Sequence, residues 1–167
     1  GPHPAIVTTP GRTVSGVVRD HDSGMPLPRL RIQSRSYPFN SAQTDDQGRY
    51  RLIGAATDKD VSLWVMPEDK PYPRTAWDFD TPGRPGPITA DITLTRGAWV
   101  SGKVTDRASG RPVSSRVHYH PFRETPSPDR PGSPETAEQS DVLTDANGRF
   151  RVVVAHVGGV LAVDPMT

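Results

Sequence analysis

The sequence predicts an all-β protein built from two tandem antiparallel β-sandwich domains. The 19 prolines and 15 glycines among 167 residues are enough to interrupt almost every helix. Short runs that alternate apolar and polar residues recur between turn residues, which is typical of a series of short strands. One nine-residue pattern also occurs twice, and a hydrophobic content of 33% suits two small cores better than one deep core.

Two landmarks define the repeat. The pattern TDDQGRYRL at 44–52 returns as TDANGRFRV at 144–152, and VSG at 14–16 returns at 100–102. The first pair is 100 positions apart and the second pair 86, so the second copy carries 14 extra residues between its landmarks.

The extra residues fall in a polar, proline-rich stretch at 121–140, which we predict to be an inserted loop. The predicted domains are 1–96 and 97–167. Residues 1–10 are interpreted as the tail of a preceding repeat, because they look like the junction between the two copies.

Each copy is predicted to contain short strands in the same order. A first strand, TVSGVVRD or WVSGKVTD, has a Ser-Gly pair that favours a bulge, and the turn DHDSGMPLP or DRASGRPVS follows it. A second strand, at 30–33 or 117–119, precedes the repeated corner. The strand after the corner is RYRLIG or RFRVVVA, and DVSLWVMP or GGVLAVDP supplies another. Only the first copy then has a closing strand, at 88–95.

The second copy is expected to lack its last strand. The sequence reaches Thr167 before any counterpart of the closing strand, and we interpret the chain as an excerpt from a longer array. A strand edge left unpaired would favour association with another chain, unless the segment 4–9 or a second chain covers it.

The repeated corner is predicted to be structural. The first Asp of D-x-x-G suits position i of a type I turn, where its carboxylate accepts a backbone N–H two residues on, and the Gly closes the turn in the left-handed conformation. The aromatic residue two positions later then faces the core. The residues assigned to the two corners are Asp45, Gly48, Tyr50, Asp145, Gly148 and Phe150.

The rival interpretation of the corner is an acidic metal-binding or catalytic loop. Such a loop needs several converging carboxylates. The second copy keeps only Asp145 where the first has Asp45 and Asp46, which favours the structural role.

The combined pattern of both copies resembles the carboxypeptidase regulatory-like (transthyretin-like) domain. SGVVRDHDSGMPLPRLRI with TDDQGRYRL, and SGKVTDRASGRPVSSRVHY with TDANGRFRV, follow G-x-V-x-D-x-x-[ST]-G-x-P-[LV] and then T-D-x-x-G-x-[FY]. The resemblance implies a β-sandwich used as a non-catalytic accessory module beside peptidases, receptors and cell-surface proteins, often in bacterial tandem arrays. It implies an extracytoplasmic location (periplasmic, cell-surface or secreted) and no active-site residues. The inserted loop and the missing last strand depart from the family pattern.

The composition of the chain limits the classes of partner and the kinds of chemistry that we expect. The net charge of +1 comes from 20 basic and 19 acidic residues spread along the chain, without the basic stripe that a nucleic-acid site needs or the polybasic run that attracts a membrane surface. No apolar span suggests direct membrane insertion. The absence of cysteine excludes disulfides, Cys-ligated zinc and thiol catalysis. We predict that the protein is not an enzyme and assign no cofactor.

Three small groups of residues are candidates for a chemical site. His118 and His120 lie two apart on a strand, as in a two-His metal site, but a third ligand is not evident and solvent exposure is favoured. Asp20 and Asp22 could chelate calcium, but the second copy keeps only one of the pair, so a turn role is favoured. Lys103 is expected to point outward, which argues against an isopeptide bond.

The segment 68–87 is the stretch that suggests binding. It sets Tyr72, Trp77 and Phe79 among proline, aspartate and arginine in a predicted long loop, where exposed rings could stack on a sugar or contact a peptide. The alternative is that these rings fold back over an open end of the sandwich, or pack on the neighbouring domain.

Three hypotheses for function follow. The first is a structural or interaction module of a larger, exported bacterial protein, which spaces or docks other domains of the same polypeptide. Trp99, beside the short junction TRGAWVSG, is expected to pack against both copies and make the pair semi-rigid. The second is a carbohydrate- or peptide-binding module that uses the aromatic segment 68–87. The third is the regulatory domain of a peptidase or sensor.

Overall fold

The fold is taken from a computed structural model, which describes residues 11–36, 39–55, 57, 60–79, 81, 83, 86–122, 140–156 and 158–166. Across these residues the protein is all-β, with 13 strands and no helix. The same residues contain no helix long and apolar enough to cross a membrane.

The first half of the chain contributes eight strands. They are β1 (Arg12–Asp20), β2 (Arg31–Ser34), β3 (Ser41–Gln43), β4 (Arg49–Ala55), β5 (Val61–Met66), β6 (Thr75–Phe79), β7 (Ile88–Thr89) and β8 (Ile92–Leu94). One sheet has the order β4-β1-β7, with β8 also on β1, and the other has the order β3-β2-β5-β6.

The core of the first half lies between these two sheets. Alternating residues of β1 and β5 are fully buried, as in Val14, Val18, Leu63 and Val65. Their neighbours along the same strands are more exposed, because successive side chains of a strand point to opposite faces.

Two pairings depart from the predicted antiparallel arrangement. The other strand pairs are antiparallel, but β1 runs parallel to both β7 and β8. The predicted closing strand at 88–95 is two short strands, which Ala90 and Asp91 separate. A register irregularity in β1 lies between Arg12 and Val14, before the Ser-Gly pair where a bulge was expected.

The second half of the chain contributes five strands. They are β9 (Ala98–Lys103), β10 (Ser115–Pro121), β11 (Asp141–Leu143), β12 (Arg149–Val154) and β13 (Gly159–Pro165). They form a two-stranded sheet, β12-β9, and a three-stranded sheet, β11-β10-β13.

The two halves share the same strand register. Val14 pairs with Leu52 in the first half, and Val100 pairs with Val152 in the second. The described residues of the second half include no counterparts of β6, β7 and β8. The predicted inserted loop lies mostly outside the described residues, as do the segment 1–10 and Thr167.

The segment 68–87 contains a strand that the sequence analysis missed. Thr75–Phe79 forms β6, which pairs with β5 and extends the second sheet. The prolines on both sides of TAWDF favoured the interpretation of 68–87 as one long loop. Proline is nevertheless compatible with the ends of an edge strand.

Candidate functional site

The repeated corner has the same geometry in both halves. The Asp45 carboxylate accepts hydrogen bonds from the amides of Gln47 (2.9 Å) and Arg49 (2.8 Å). The Asp145 carboxylate accepts the corresponding bonds from Asn147 (2.8 Å) and Arg149 (2.9 Å). In each corner the Oδ1 atom of the carboxylate therefore bonds the backbone of its own turn.

The glycine of each corner is required on two grounds. Gly48 has φ of 72° and Gly148 has φ of 73°, in the left-handed region that other residues resist. A Cβ at Gly48 would also lie less than 3.0 Å from the carbonyl oxygen of Val18, and one at Gly148 equally close to that of Val104. The close approach allows Val18 and Val104 to donate their amides to the two glycine carbonyls, both at 2.8 Å.

The threonine that precedes each Asp is a residue whose role the sequence analysis did not assign. The Thr44 hydroxyl accepts from the amide of Leu30 (2.9 Å) and donates to the carbonyl of Leu27 (2.7 Å). Thr144 makes the same two contacts, with Ser115 (3.0 Å) and Val113 (3.1 Å). The recurrence of TD in both copies was the signal for this role.

The aromatic residue of the corner differs between the halves. Tyr50 is buried, and its hydroxyl donates to the carbonyl of Ala90 (2.5 Å). Burial and the nearby Asp91 carboxylate raise the pKa of Tyr50 well above its usual range. Phe150 is only half-buried.

Asp20 is fully occupied within the fold. Its Oδ1 accepts the amide of Ser23 (2.8 Å) and the hydroxyl of the same residue (2.6 Å), while Oδ2 accepts from Tyr72 (2.7 Å) and Arg96 (3.1 Å). Burial by itself would raise the pKa of Asp20, but these hydrogen bonds together lower it well below its usual range. Asp22, its suggested calcium partner, is exposed.

Asp106 repeats half of this arrangement. It accepts the amide and the hydroxyl of Ser109, both at 2.7 Å, and these hydrogen bonds lower its pKa. Unlike Asp20, it is exposed. Within the described ranges, no three residues of the His, Cys, Asp or Glu types gather as a metal site would require.

The three rings proposed for ligand binding are placed inward. Tyr72 is 4% exposed and Trp77 is 6% exposed, and Phe79 is partly buried against the same core. Trp77 and Phe79 stack with ring centroids 6.2 Å apart. The expectation of exposed rings on a loop does not hold: Trp77 and Phe79 lie on β6 and face the first core, and Tyr72, which precedes β6, bonds the buried Asp20. Covering the sandwich was the alternative interpretation.

The other two candidate groups lie on the second half. Val117 and Tyr119 are buried, whereas His120 is exposed and His118 contacts Asp164 at 3.0 Å. Lys103 is exposed at the end of β9, as the alternation of the strand predicts.

A cleft of about 290 Å³ lies where the two halves meet. Its walls include Glu68, Tyr72 and Arg74 from the first half, and Trp99, Asp141 and Arg151 from the second. The guanidinium carbon of Arg151 lies 4.0 Å from the centre of the Trp99 ring, a cation–π contact. The segment 68–87 therefore contributes to a cavity, although not through exposed rings.

Two contacts fix the junction residues Arg96 and Gly97 to the first half. The amide of Gly97 donates to the carbonyl of Pro71 at 2.8 Å, and Arg96 pairs with Asp20. Arg96 was not singled out by the sequence analysis, because a lone arginine at a junction carries no pattern. Trp99 is half-buried at the cleft, beside these contacts.

Neither a family model nor a curated protein matches the chain. Several solved structures show distant likeness at low TM-scores. The Bacillus anthracis TIE protein is 8% identical, with a TM-score of 0.43 over 95% of this chain, which spans only 31% of that protein. A Bacteroides uniformis protein, provisionally described as carbohydrate-binding, is 10% identical with a TM-score of 0.43, and the match covers 95% of this chain and all of that one.

A DUF3823 family protein from Parabacteroides merdae is 13% identical, with a TM-score of 0.37 over 95% of this chain and 82% of that one. At these identities and scores the three proteins share at most a general β architecture with this chain.

Proposed function

We propose that this chain is a non-catalytic scaffold of a larger, exported bacterial protein, in which two repeat modules at 1–96 and 97–167 space or dock neighbouring domains. The observation that carries the proposal is that the repeated acidic residues accept hydrogen bonds from backbone amides. Asp45 and Asp145 each bind amides of their own turn, and Asp20 and Asp106 each bind a serine three residues on. These hydrogen bonds give each of the four carboxylates a structural role in its own turn.

The junction supports a spacer whose two modules move together. A spacer with a fixed geometry needs few free residues between its parts, and a flexible linker would give a variable reach. Here Arg96 and Gly97 are both bonded to the first half immediately before β9 begins at Ala98.

Residual dipolar couplings test this spacer role. A single alignment tensor should fit the amides of 11–96 and 97–166 together. Arg96→Ala should separate the two tensors, because it removes the ion pair with Asp20. Arg107→Ala, which removes an exposed arginine from the turn after β9, is the matched control and should leave one tensor. Independent tensors in the unaltered chain would contradict a semi-rigid spacer.

A second candidate is carbohydrate or peptide binding, and the cleft is the observation that favours it. Its volume of about 290 Å³ is close to the lower end of the range for small-molecule sites. Two aromatic residues, two arginines and two acids on its walls provide stacking and hydrogen-bonding groups.

Calorimetric titration with neutral oligosaccharides, acidic oligosaccharides and short peptides would test this candidate. Binding should be lost in Trp99→Leu and kept in Ile53→Ala, which removes an exposed apolar side chain that does not line the cleft. Heat of binding that is equal in both variants would rule out the cleft as the site.

A further inference from the structure

The two arginines on the walls of the cleft have no acidic partner among the described residues. Arg74 and Arg151 both line the cleft, and neither forms an ion pair in the part of the chain that the structure describes. The Nε atom of Arg74 is also buried without a hydrogen-bond partner there. This part of the fold therefore leaves both positive charges uncompensated.

Each of the two guanidinium groups lies over a tryptophan ring. The guanidinium carbon of Arg74 is 4.0 Å from the centre of the Trp64 ring, and that of Arg151 is 4.0 Å from the centre of the Trp99 ring. A guanidinium group that contacts a ring with its face keeps the N–H groups of its edge for other partners. Both arginines can therefore bind a carboxylate through two parallel hydrogen bonds.

The two acidic residues of the cleft have arginine partners outside it. A carboxylate oxygen of Glu68 lies 3.2 Å from the guanidinium group of Arg31, and one of Asp141 lies 4.0 Å from that of Arg116. Neither Arg31 nor Arg116 lines the cleft. The four guanidinium groups and two carboxylates together carry a net charge of +2, and a cleft with an excess of one sign of charge attracts ligands of the opposite sign.

The aromatic ring of Trp99 is a feature of the second half alone. By the repeat, Trp99 and Arg151 correspond to Thr13 and Arg51 of the first half. The first half forms its β4-β1 pairing with a threonine at this position, so the sheet itself does not require a tryptophan ring. Trp99 is half-buried, and the rest of its surface can pack against the C–H groups of a sugar ring.

We propose that the cleft binds an acidic saccharide, in which the carboxylate of a uronic acid unit pairs with Arg74 or Arg151 and the sugar ring packs on Trp99. This proposal rests on the second candidate function, binding in the cleft, and names the class of ligand. The cleft volume of about 290 Å³ suits a small ligand of this kind.

An acidic peptide is a weaker occupant of the same cleft. The carboxylate of a uronic acid is attached directly to the sugar ring, whereas that of an aspartate or glutamate is at the end of a flexible side chain. Ordering this side chain and the peptide backbone on binding costs conformational entropy, most of which the rigid sugar ring avoids. The same two arginines therefore favour the saccharide.

Calorimetric titration of the full chain with trigalacturonate and with its fully methyl-esterified form tests the proposal. The two ligands have the same rings and the same length, but the ester has no negative charge. Trigalacturonate should bind about tenfold or more tightly than the ester, because only a carboxylate forms charge-assisted hydrogen bonds with arginine. Its affinity should also fall as the NaCl concentration rises. Equal affinities of the acid and the ester would overturn the proposal.

Two variants of the protein locate the charge that binds the ligand. Arg74→Gln and Arg151→Gln should each weaken the binding of trigalacturonate by about tenfold and leave the binding of the ester nearly unchanged. Arg149→Gln is the matched control, because Arg149 is exposed on the same strand and the same face as Arg151 but does not line the cleft. An equal loss in Arg149→Gln would mean that the ligand responds only to the overall charge, and would contradict the proposal.

The folding of each variant is checked by its free energy of unfolding. The comparison of acid and ester on the unaltered chain needs no variant, so it remains decisive if Arg74→Gln does not fold.

The outcomes separate this proposal from the candidate function on which it rests. If the ester binds as tightly as the acid and both are lost in Trp99→Leu, the cleft binds a neutral saccharide and only the proposed ligand class is wrong. If a tetra-aspartate peptide binds more tightly than trigalacturonate, the ligand is an acidic peptide and the proposal is wrong. If no saccharide and no peptide binds, the candidate function and this proposal both fail.

Discussion

The two halves of the chain have the same turns but not the same core. Val65 is 0% exposed, whereas Val163, at the corresponding position of its sheet, is 43% exposed. Leu63 is 1% exposed and its counterpart Leu161 is 37% exposed. The turns depend on residues close in sequence, whereas core burial depends on the edge strands β6, β7 and β8, which have no counterpart among the described residues of the second half.

The largest expected effect is a difference in the stability lost when a leucine of each core is replaced by alanine. Leu63→Ala should lower the free energy of unfolding by about 3 kcal/mol, because it leaves a cavity in a filled core. Leu161→Ala should cost less than about 1 kcal/mol, because that side chain is already partly in contact with water. Urea unfolding followed by near-UV circular dichroism measures both. Equal losses would show that the second core is as complete as the first.

The next effect should be similar in the two halves. Gly48→Val and Gly148→Val should each destabilise the protein by about 2 kcal/mol or more, because a β-branched residue is strained at positive φ and its Cβ meets a carbonyl oxygen. Thermal unfolding measures the loss.

Gly24→Ala and Gly110→Ala are the matched controls for the corner glycines. Both positions have positive φ, of 66° and 69°, but a Cβ there would meet nothing within 4 Å. These controls should cost about 1 kcal/mol, from backbone strain alone. If the valine variants unfold at the same temperature as the parent chain, the structural role of the corner fails.

A smaller effect should follow from the aromatic residues of the corner. Tyr50→Phe should cost about 1 kcal/mol, because it leaves the carbonyl of Ala90 without the donor that closes the first sandwich. The reverse change in the second half, Phe150→Tyr, should be close to neutral, because that ring is half-buried. Denaturant titration of both variants measures this difference, and a larger loss for Phe150→Tyr would contradict it.

The last effect should be confined to acidic solution and appear as a pH dependence of stability. The folded pKa of Asp20 is lowered, so its contribution is fully present above the unfolded value of about 3.9 and is lost as the pH falls through the lowered folded value. Asp20→Asn should therefore flatten the plot of the free energy of unfolding against pH below about pH 4. Asp106→Asn should change the curve less, because that carboxylate lacks the bonds from a tyrosine and an arginine. If the free energy of unfolding depends on pH in the same way in the parent chain and in Asp20→Asn, the protonation of Asp20 is not linked to folding.

The sequence was most informative where structure is local. The turn geometry of Asp45 and Gly48 and the all-β class could be predicted, because both depend on residue types at fixed short spacings. The inward position of Tyr72 could not be read in the same way. It depends on Asp20 and Arg96, which are distant in sequence, and on β6, whose flanking prolines resemble those of a loop.

The parallel pairings of β1 were also beyond sequence reasoning. A chain that closes with I-T-A-D-I-T-L shows the alternation of a strand but not the direction of its partner. The cleft was missed for a related reason: Trp99 and Arg151 meet Arg74 there only because the halves pack in a particular way. Patterns within one segment do not report contacts between segments.

The ion pair between Arg96 and Asp20 limits how far the first half can be truncated at its C-terminal end. A truncated chain that stops at Leu94 would retain every strand of the first sandwich and yet leave a buried carboxylate without its arginine. A truncated first half that keeps this ion pair therefore has to extend past β8 and include Arg96.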